Sequence, residues 1–140
     1  MARVDDLALL LGRLLIAALF LPSGISKLMT FSQFAASLGQ RGVPYPDVLA
    51  ALGVAIEVLG PIALILGIWP RLTALAMIAF VASATLVSHR YWEFTDEAAR
   101  RAQEINFYKN LGIIGGLLFY FAAGSGAFAL RGEKVKPASV

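Results

Sequence analysis

A single carboxylate interrupts an otherwise apolar stretch, because Glu57 lies inside residues 55–66 and precedes Pro61 by four positions. A charged side chain at the centre of a membrane helix costs about 3 kcal/mol or more, so it is retained only where it is paired or meets a ligand or a proton. Proline lacks an N–H, so Pro61 also leaves the carbonyl of Glu57 without its helical partner. Glu57 is therefore predicted to be either a structural ion pair or a proton-handling site, and the sequence leaves both interpretations open.

The first candidate partner of Glu57 is Arg13, which lies inside the first apolar run of the chain. Counting ~1.5 Å of helix rise per residue from the two membrane edges places the two side chains about 7 Å apart along the membrane normal. Because unpaired charges at such a depth are costly, an Arg13–Glu57 salt bridge is the economical pairing. The alternative partners of Glu57 are Lys27 and Lys109, and the sequence predicts that Glu57 lies within hydrogen-bonding or salt-bridge reach of one of these cations.

Further polar side chains are predicted to meet at the membrane edge that holds the two long connections, residues 30–47 and 90–105. They come from the ends of the first and third apolar runs and the start of the fourth, and they are Ser23, Ser26, Lys27, His89, Asn106, Lys109 and Asn110. Aromatic residues of the same region would form a wall, namely Phe31, Tyr91, Trp92, Phe94, Phe107 and Tyr108. We expect a polar pocket here, with Glu57 at its floor.

Such a pocket could bind a small molecule and exchange protons with it. In this interpretation Glu57 and His89 are catalytic, with His89 donating or accepting a proton and Glu57 relaying it. The ligand-binding set would be Arg13, Ser23, Lys27, Lys109 and Asn110. The same residues also have ordinary explanations, since lysines snorkel to head groups and interfacial aromatic residues form belts. A lone histidine is not a metal site, so no metal is predicted.

Four apolar runs must position these residues. They cover about residues 7–29, 48–69, 71–89 and 106–130, each close to the ~20 residues that a helix needs to cross a membrane. The chain is 59% hydrophobic and only 15% charged, against about 25% charged residues in soluble domains. We therefore predict one domain of residues 1–140, an all-α integral membrane four-helix bundle with a short interfacial helix in the first long loop.

Local signals refine this arrangement. Asp47 is the predicted N-cap of the second span. Gly112 and Gly116 form a GxxxG motif, which predicts close packing of the fourth span. Asp5 and Asp6 interrupt the N-terminal region, so the first apolar run is predicted to be a retained span and not a signal peptide.

The charge and cysteine content restrict the function classes. The net charge is +3, but the basic residues are scattered and several lie at the ends of apolar runs, so no nucleic-acid partner is expected. Because the chain contains no cysteine, it has no disulfide, thiolate metal site or CxxC relay of its own. Basic residues are nearly balanced between the two membrane sides, and the basic tail favours cytoplasmic termini.

Four segments taken together resemble the DoxX family of small four-span bacterial membrane proteins. They are GRLLIAALFLPSGISKL at 12–28, IEVLGPIALILGIWPRLTAL at 56–75, LVSHRYWEF at 86–94 and INFYKNLGIIGGLL at 105–118. The resemblance implies a four-helix bundle in the bacterial cytoplasmic membrane. The family is similar to the quinone-interacting subunit of an archaeal thiosulfate:quinone oxidoreductase, and some members are linked with oxidoreductase complexes that handle thiol or oxidative stress. Its characteristic polar positions correspond to Arg13, Lys27, Glu57, His89, Lys109 and Asn110.

The resemblance and the polar residues together predict a membrane subunit of a redox assembly that binds a quinone-like or small acidic molecule. Membrane lipid, a redox partner protein and a second copy of the chain are the expected partners, and a quinone is the expected cofactor. The alternative is a non-catalytic membrane scaffold that stabilises partner proteins or holds lipid. A transporter is less expected, because the two halves of the chain do not align as a repeat.

Overall fold

A computed structural model describes residues 2–130, and every regular element within that range is helical. In chain order the α-helices are α1 (Ala2–Met29), α2 (Phe31–Gln40), α3 (Pro46–Leu66), α4 (Pro70–Ser88) and α5 (Glu97–Ala123). A 3₁₀ turn, Tyr91–Glu93, separates α4 from α5. The predicted all-α class is confirmed for this part of the chain, and a short helix, α2, occupies the first long loop as predicted.

Three segments are long and apolar enough to cross a membrane. They correspond to the first three predicted spans and cover Arg3–Met29, Pro46–Leu66 and Pro70–Glu93. α5 is not among them, because polar side chains extend from its first turn as far as Lys109 and Asn110. Residues 2–130 therefore contain three membrane-capable helices, and the fourth predicted span is not confirmed.

The fourth apolar run folds differently from its prediction at both ends. The Asp96 carboxylate accepts a hydrogen bond of 2.8 Å from the backbone N–H of Ala99, and this cap starts α5 well before residue 106. Gly124, with a φ of 80°, ends the helix before the predicted limit at residue 130. The segment 124–130 returns towards the α3–α4 turn, where the backbone N–H of Leu130 donates to the Leu66 carbonyl at 2.9 Å.

The α3–α4 connection is a tight turn of three residues between Leu66 and Pro70. Gly67 ends α3 with a φ of 68°, a conformation that costs glycine nothing. Pro70 begins α4 at a position where a missing N–H is harmless. At the other end of α3 the predicted N-cap is wrong, because Tyr45 occupies the cap position and Asp47 lies in the first helical turn.

The core and the outer surface of the helices are both apolar. α1 packs mainly on α3, and α4 packs mainly on α5. A buried cluster joins these helices and consists of Phe20, Leu64, Ala74, Met77, Val81, Leu117 and Tyr120. Large apolar side chains also point outwards, and Leu15, Leu72 and Phe119 are 72%, 64% and 79% exposed. An outer surface of this kind is stable in lipid rather than in water.

Glycine permits close helix packing at a position that the GxxxG motif did not indicate. A Cβ added to Gly24 of α1 would lie 2.8 Å from the Glu57 carbonyl oxygen of α3, closer than van der Waals contact allows. A Cβ added to Gly112 would meet nothing within 4 Å, and one added to Gly116 would only touch Ile16 at 3.9 Å. Within residues 2–130, the predicted close packing of α5 through Gly112 and Gly116 is therefore wrong.

We expect Gly24→Ala to lower the free energy of unfolding by about 1–3 kcal/mol, because the added methyl group meets backbone atoms that cannot rotate away. Gly112→Ala is the matched control, since it adds the same methyl group to open space and gains up to about 1 kcal/mol of helix propensity. Unfolding curves of both variants in detergent measure the difference. Equal stability of the two variants would contradict the close approach of α1 and α3.

Candidate functional site

A cavity of 620 Å³ lies between the C-terminal end of α1 and helices α2, α3 and α4. Such a volume is typical of sites for small molecules. Its wall is mainly apolar, with aromatic rings from Phe34 and Phe80. The polar side chains in the wall are Lys27, Ser37, Arg41, Ser83, Ser88 and His89. We call this space the α2 cavity.

Glu57 forms an ion pair with Lys27 beside the α2 cavity. The Lys27 Nζ donates to Glu57 Oε2 at 2.7 Å and to Oε1 at 2.9 Å. The Lys27 side chain is 32% exposed and the Glu57 side chain only 4%. An ammonium group has three N–H donors, so one donor of Lys27 remains after both carboxylate oxygens are bound. A cationic partner for Glu57 within salt-bridge reach is thus found, as the sequence predicted.

Two aromatic rings enclose the Lys27 ammonium group. Its Nζ lies 5.2 Å from the centroid of the Phe34 ring of α2 and 5.9 Å from that of the Phe80 ring of α4. Both distances allow a cation–π attraction. The charge of Lys27 is therefore held at the junction of α1, α2, α3 and α4, which are the helices that form the cavity.

Arg13 does not contact Glu57, and that predicted salt bridge is wrong. Glu57 lies level with Gly24, and Arg13 precedes Gly24 by eleven residues, or about 16 Å along α1. The prediction placed the end of α1 and the start of α3 at the same depth in the membrane. In the structure, the end of α1 lies deeper than the start of α3. The relevant cation for Glu57 is consequently one at the end of α1 and not one in its middle.

Arg13 instead belongs to a second polar cluster at the α3–α4 turn. Arg13 is 1% exposed, and its guanidinium donates to the Phe128 carbonyl. Its Nε and Nη1 have no hydrogen-bond partner among residues 2–130. Ser125 donates from Oγ to the Gly67 carbonyl at 2.8 Å. The returning segment 124–130 thereby covers Arg13, so the structure does not bring this predicted ligand-binding residue to the α2 cavity.

His89 lines the α2 cavity at the end of α4. Its Nδ1 lies 2.7 Å from Oε1 of Gln103, which belongs to α5. Lys27 and His89 are therefore the two predicted site residues in the cavity wall, with Glu57 directly behind Lys27. Gln103 was not predicted, because a glutamine in a polar segment has no distinguishing sequence signal.

The remaining predicted site residues lie elsewhere. Asn110 is buried and donates from Nδ2 to the Thr85 hydroxyl at 2.8 Å, which joins α5 to α4. Lys109 is exposed and donates to Asn106 of its own helix at 3.0 Å. Ser23 is half-buried one turn before Lys27 and is not part of the cavity wall. Since α5 packs on the opposite side of α4, its polar residues cannot reach the α2 cavity except through His89.

The predicted aromatic wall is an external cluster. Tyr91 and Trp92 of the 3₁₀ turn pack edge to face with each other and with Phe107 of α5, which packs edge to face with Tyr108, and the closest ring centroids are 5.2 Å apart. None of them lines the α2 cavity. Such a cluster agrees with the alternative interpretation as an interface belt. The cavity takes its aromatic surface from α2 and α4 instead.

Comparison with known proteins gives a consistent family assignment. The chain is 31% identical to the inner membrane protein YphA of Escherichia coli (strain K12) over 122 residues, which cover 87% of this chain and 86% of YphA. It is 29% identical to the inner membrane protein YqjF of the same organism, over 93% of this chain and 94% of YqjF. No solved structure shows a significant match. The DoxX family profile matches residues 8–90, which include Lys27, Glu57 and His89. This helical membrane protein belongs to the DoxX family.

Proposed function

We propose that α5 is a fourth membrane span, so that residues 1–140 form a single four-helix unit in the bacterial cytoplasmic membrane. The second half of α5 supports this, because it is apolar and exposes Leu118 and Phe119. Both relatives are named inner membrane proteins, which supports the location. The orientation with cytoplasmic termini stays a prediction, and the basic residues after position 130 on which it relies lie outside the described residues.

We propose that the protein is a membrane subunit of a redox assembly and binds a quinone-like molecule in the α2 cavity. The observation that carries the proposal is an apolar, aromatic cavity whose wall holds His89 and Lys27, with Glu57 paired to Lys27 behind the wall. Apolar walls suit a ring and its hydrocarbon tail, and a few polar groups fix the orientation of a ligand in such a site. The residues present therefore fit this chemical class.

In this proposal the polar residues have separate roles in ligand binding and in proton exchange. Lys27 uses its remaining N–H to hold a ligand oxygen, while Glu57 keeps the ammonium group in place. His89 exchanges a proton with the ligand, since an imidazole ring can both donate and accept one. A bound quinone would supply a two-electron, two-proton redox couple. Because the chain has no cysteine of its own, the electrons would pass through a bound cofactor or a partner protein.

The alternative is a scaffold in which the ion pair only joins α1 to α3. It is supported by the burial of Glu57, since a structural pair needs no contact with a ligand. In that case the α2 cavity holds lipid chains and the protein stabilises partner proteins or copies of itself. The two functions differ in whether the polar groups of a ligand matter for binding.

We expect a short-chain benzoquinone to stabilise the detergent-purified protein. A ligand present at about 100 times its Kd raises the free energy of unfolding by about 2.7 kcal/mol. Thermal unfolding with increasing quinone measures this as a saturable rise in Tm. An alkylbenzene of matched size is the control, because it fills an apolar space but lacks the ring oxygens. No rise with the quinone, or the same rise with the alkylbenzene, would contradict quinone binding and favour the scaffold.

A further inference from the structure

The hydrogen bond between His89 and Gln103 fixes where the imidazole carries its proton. The Gln103 atom at 2.7 Å from His89 Nδ1 is Oε1, which can only accept a hydrogen bond. Nδ1 must therefore carry the hydrogen. In the neutral imidazole the other nitrogen, Nε2, then has a free lone pair and is an acceptor.

The Nε2 atom of His89 is available to a ligand. No hydrogen bond reaches it from any of the residues that the structure describes, 2–130. The ring is half-buried and forms part of the α2 cavity wall, whereas Gln103 holds it from the α5 side. One nitrogen of the ring is thus occupied by Gln103, and the other has no hydrogen-bond partner among residues 2–130.

The other charged groups near the cavity do not compete for this nitrogen. Lys27 is paired with Glu57, and Arg90, which follows His89, pairs with Glu93 at 3.1 Å. Arg41, the other cation in the cavity wall, is exposed and forms no hydrogen bond with His89 among residues 2–130. Lys27 offers only donors, so the cavity has a donor on its α1 wall and an acceptor on its α4 wall. A ligand that matches both carries an acceptor oxygen and, separately, a hydroxyl group.

We propose that Gln103 is a positioning residue that fixes His89 in its Nδ1–H form, so that Nε2 accepts a hydrogen bond from a hydroxyl group of the ligand. The preferred ligand is then a phenol or hydroquinone, the reduced form of the class proposed above, and this choice of ligand rests on the proposed function. Gln103 lies outside residues 8–90, where the family profile matches. The role of Gln103 follows from the contact and from the chemistry of the amide oxygen.

The chain has one histidine, so ¹⁵N-histidine labelling tests the position of the proton without overlap. At a pH where the imidazole is neutral, we expect the spectrum of the detergent-purified protein to show a protonated Nδ1 and an unprotonated Nε2. Gln103→Leu should return the ring to the Nε2–H form that free histidine prefers in water. Gln103→Glu should keep the parent pattern, because its carboxylate is also an acceptor.

Asn106→Ala is the matched control, since Asn106 lies on the same helix but bonds only to Ala102 and Lys109. It should keep the parent spectrum. An Nε2–H form in the parent, or an unchanged spectrum in Gln103→Leu, would overturn the positioning role whatever the protein binds.

A second measurement separates this role from the nature of the ligand. A short-chain benzohydroquinone, kept under argon, should bind the parent more tightly than the matched benzoquinone. Gln103→Leu should lose about tenfold in affinity for the hydroquinone, as expected when one hydrogen bond is lost. Binding of neither probe, with the parent spectrum as expected, would overturn the proposed ligand and leave the positioning role standing. Equal affinity of parent and Gln103→Leu would overturn acceptance by Nε2.

Discussion

Lys27→Met is expected to lower the free energy of unfolding by about 3 kcal/mol or more, a larger loss than that of Glu57→Gln. The asymmetry follows from burial, because the Glu57 side chain is 4% exposed and that of Lys27 is 32% exposed. Without Lys27 the carboxylate stays buried without a counter-charge, whereas without the carboxylate the ammonium group can still meet water or a ligand in the cavity. Glu57→Gln also keeps an oxygen acceptor for Lys27, so it should cost only about 1 kcal/mol.

The double variant Lys27→Met with Glu57→Leu tests whether the loss of stability in the single variant comes from an unpaired buried charge. Replacing both charges with apolar side chains removes the desolvation cost together with the attraction, so most of the single-variant loss should be recovered. Lys109→Met is the matched control, because Lys109 is an exposed lysine and its replacement should stay within about 0.5 kcal/mol of the parent. Reversible unfolding in mixed detergents gives all four values. A neutral Lys27→Met would mean that Glu57 is not held by this pair.

The membrane helices were predictable because hydropathy is a property of long stretches. Three spans, the all-α class and the short helix α2 follow from apolar runs of about 20 residues and the amphipathic piece between them. The fourth run was harder, since its limits depend on single residues: Asp96 starts α5 early, and Gly124 turns the chain back before residue 130. The capping residues, and not the hydropathy of the run, therefore determine where α5 begins and ends.

The site was predictable only in part, because sequence gives the depth of a residue but not the face or the offset of its helix. Glu57 was identifiable as a paired residue, yet its partner depended on how far α1 extends relative to α3. Asn110 looked like a pocket residue, although its face of α5 packs on Thr85 of α4. Phe34 and Phe80 are ordinary apolar residues in sequence and become site residues only because α2 and α4 face the same cavity.

Gly53→Leu is expected to reduce quinone binding at least about tenfold while the protein stays folded. Gly53 lies in the wall of the α2 cavity, and a Cβ added there would meet the Phe80 ring at 3.4 Å, an ordinary contact distance. The helix therefore accepts a side chain at this position, and a leucine extends from it into the space that the ligand needs. Replacing glycine inside a helix also gains up to about 1 kcal/mol of propensity, which offsets crowding. Titration with a short-chain benzoquinone, followed by the change in Tm, measures the loss.

A series of side chains of increasing size at position 53 tests whether the loss of binding comes from filling the α2 cavity. Gly53→Ala should bind nearly as the parent does, because a methyl group occupies little of the 620 Å³, and Gly53→Val should lie between alanine and leucine. Gly112→Leu adds the same side chain to open space on α5 and should leave quinone binding unchanged. If Gly53→Leu is folded and binds the quinone as tightly as Gly112→Leu does, the ligand occupies another part of the molecule. An ordered loss along the series at position 53, with position 112 unaffected, would place the quinone between α2, α3 and α4, next to the ion pair.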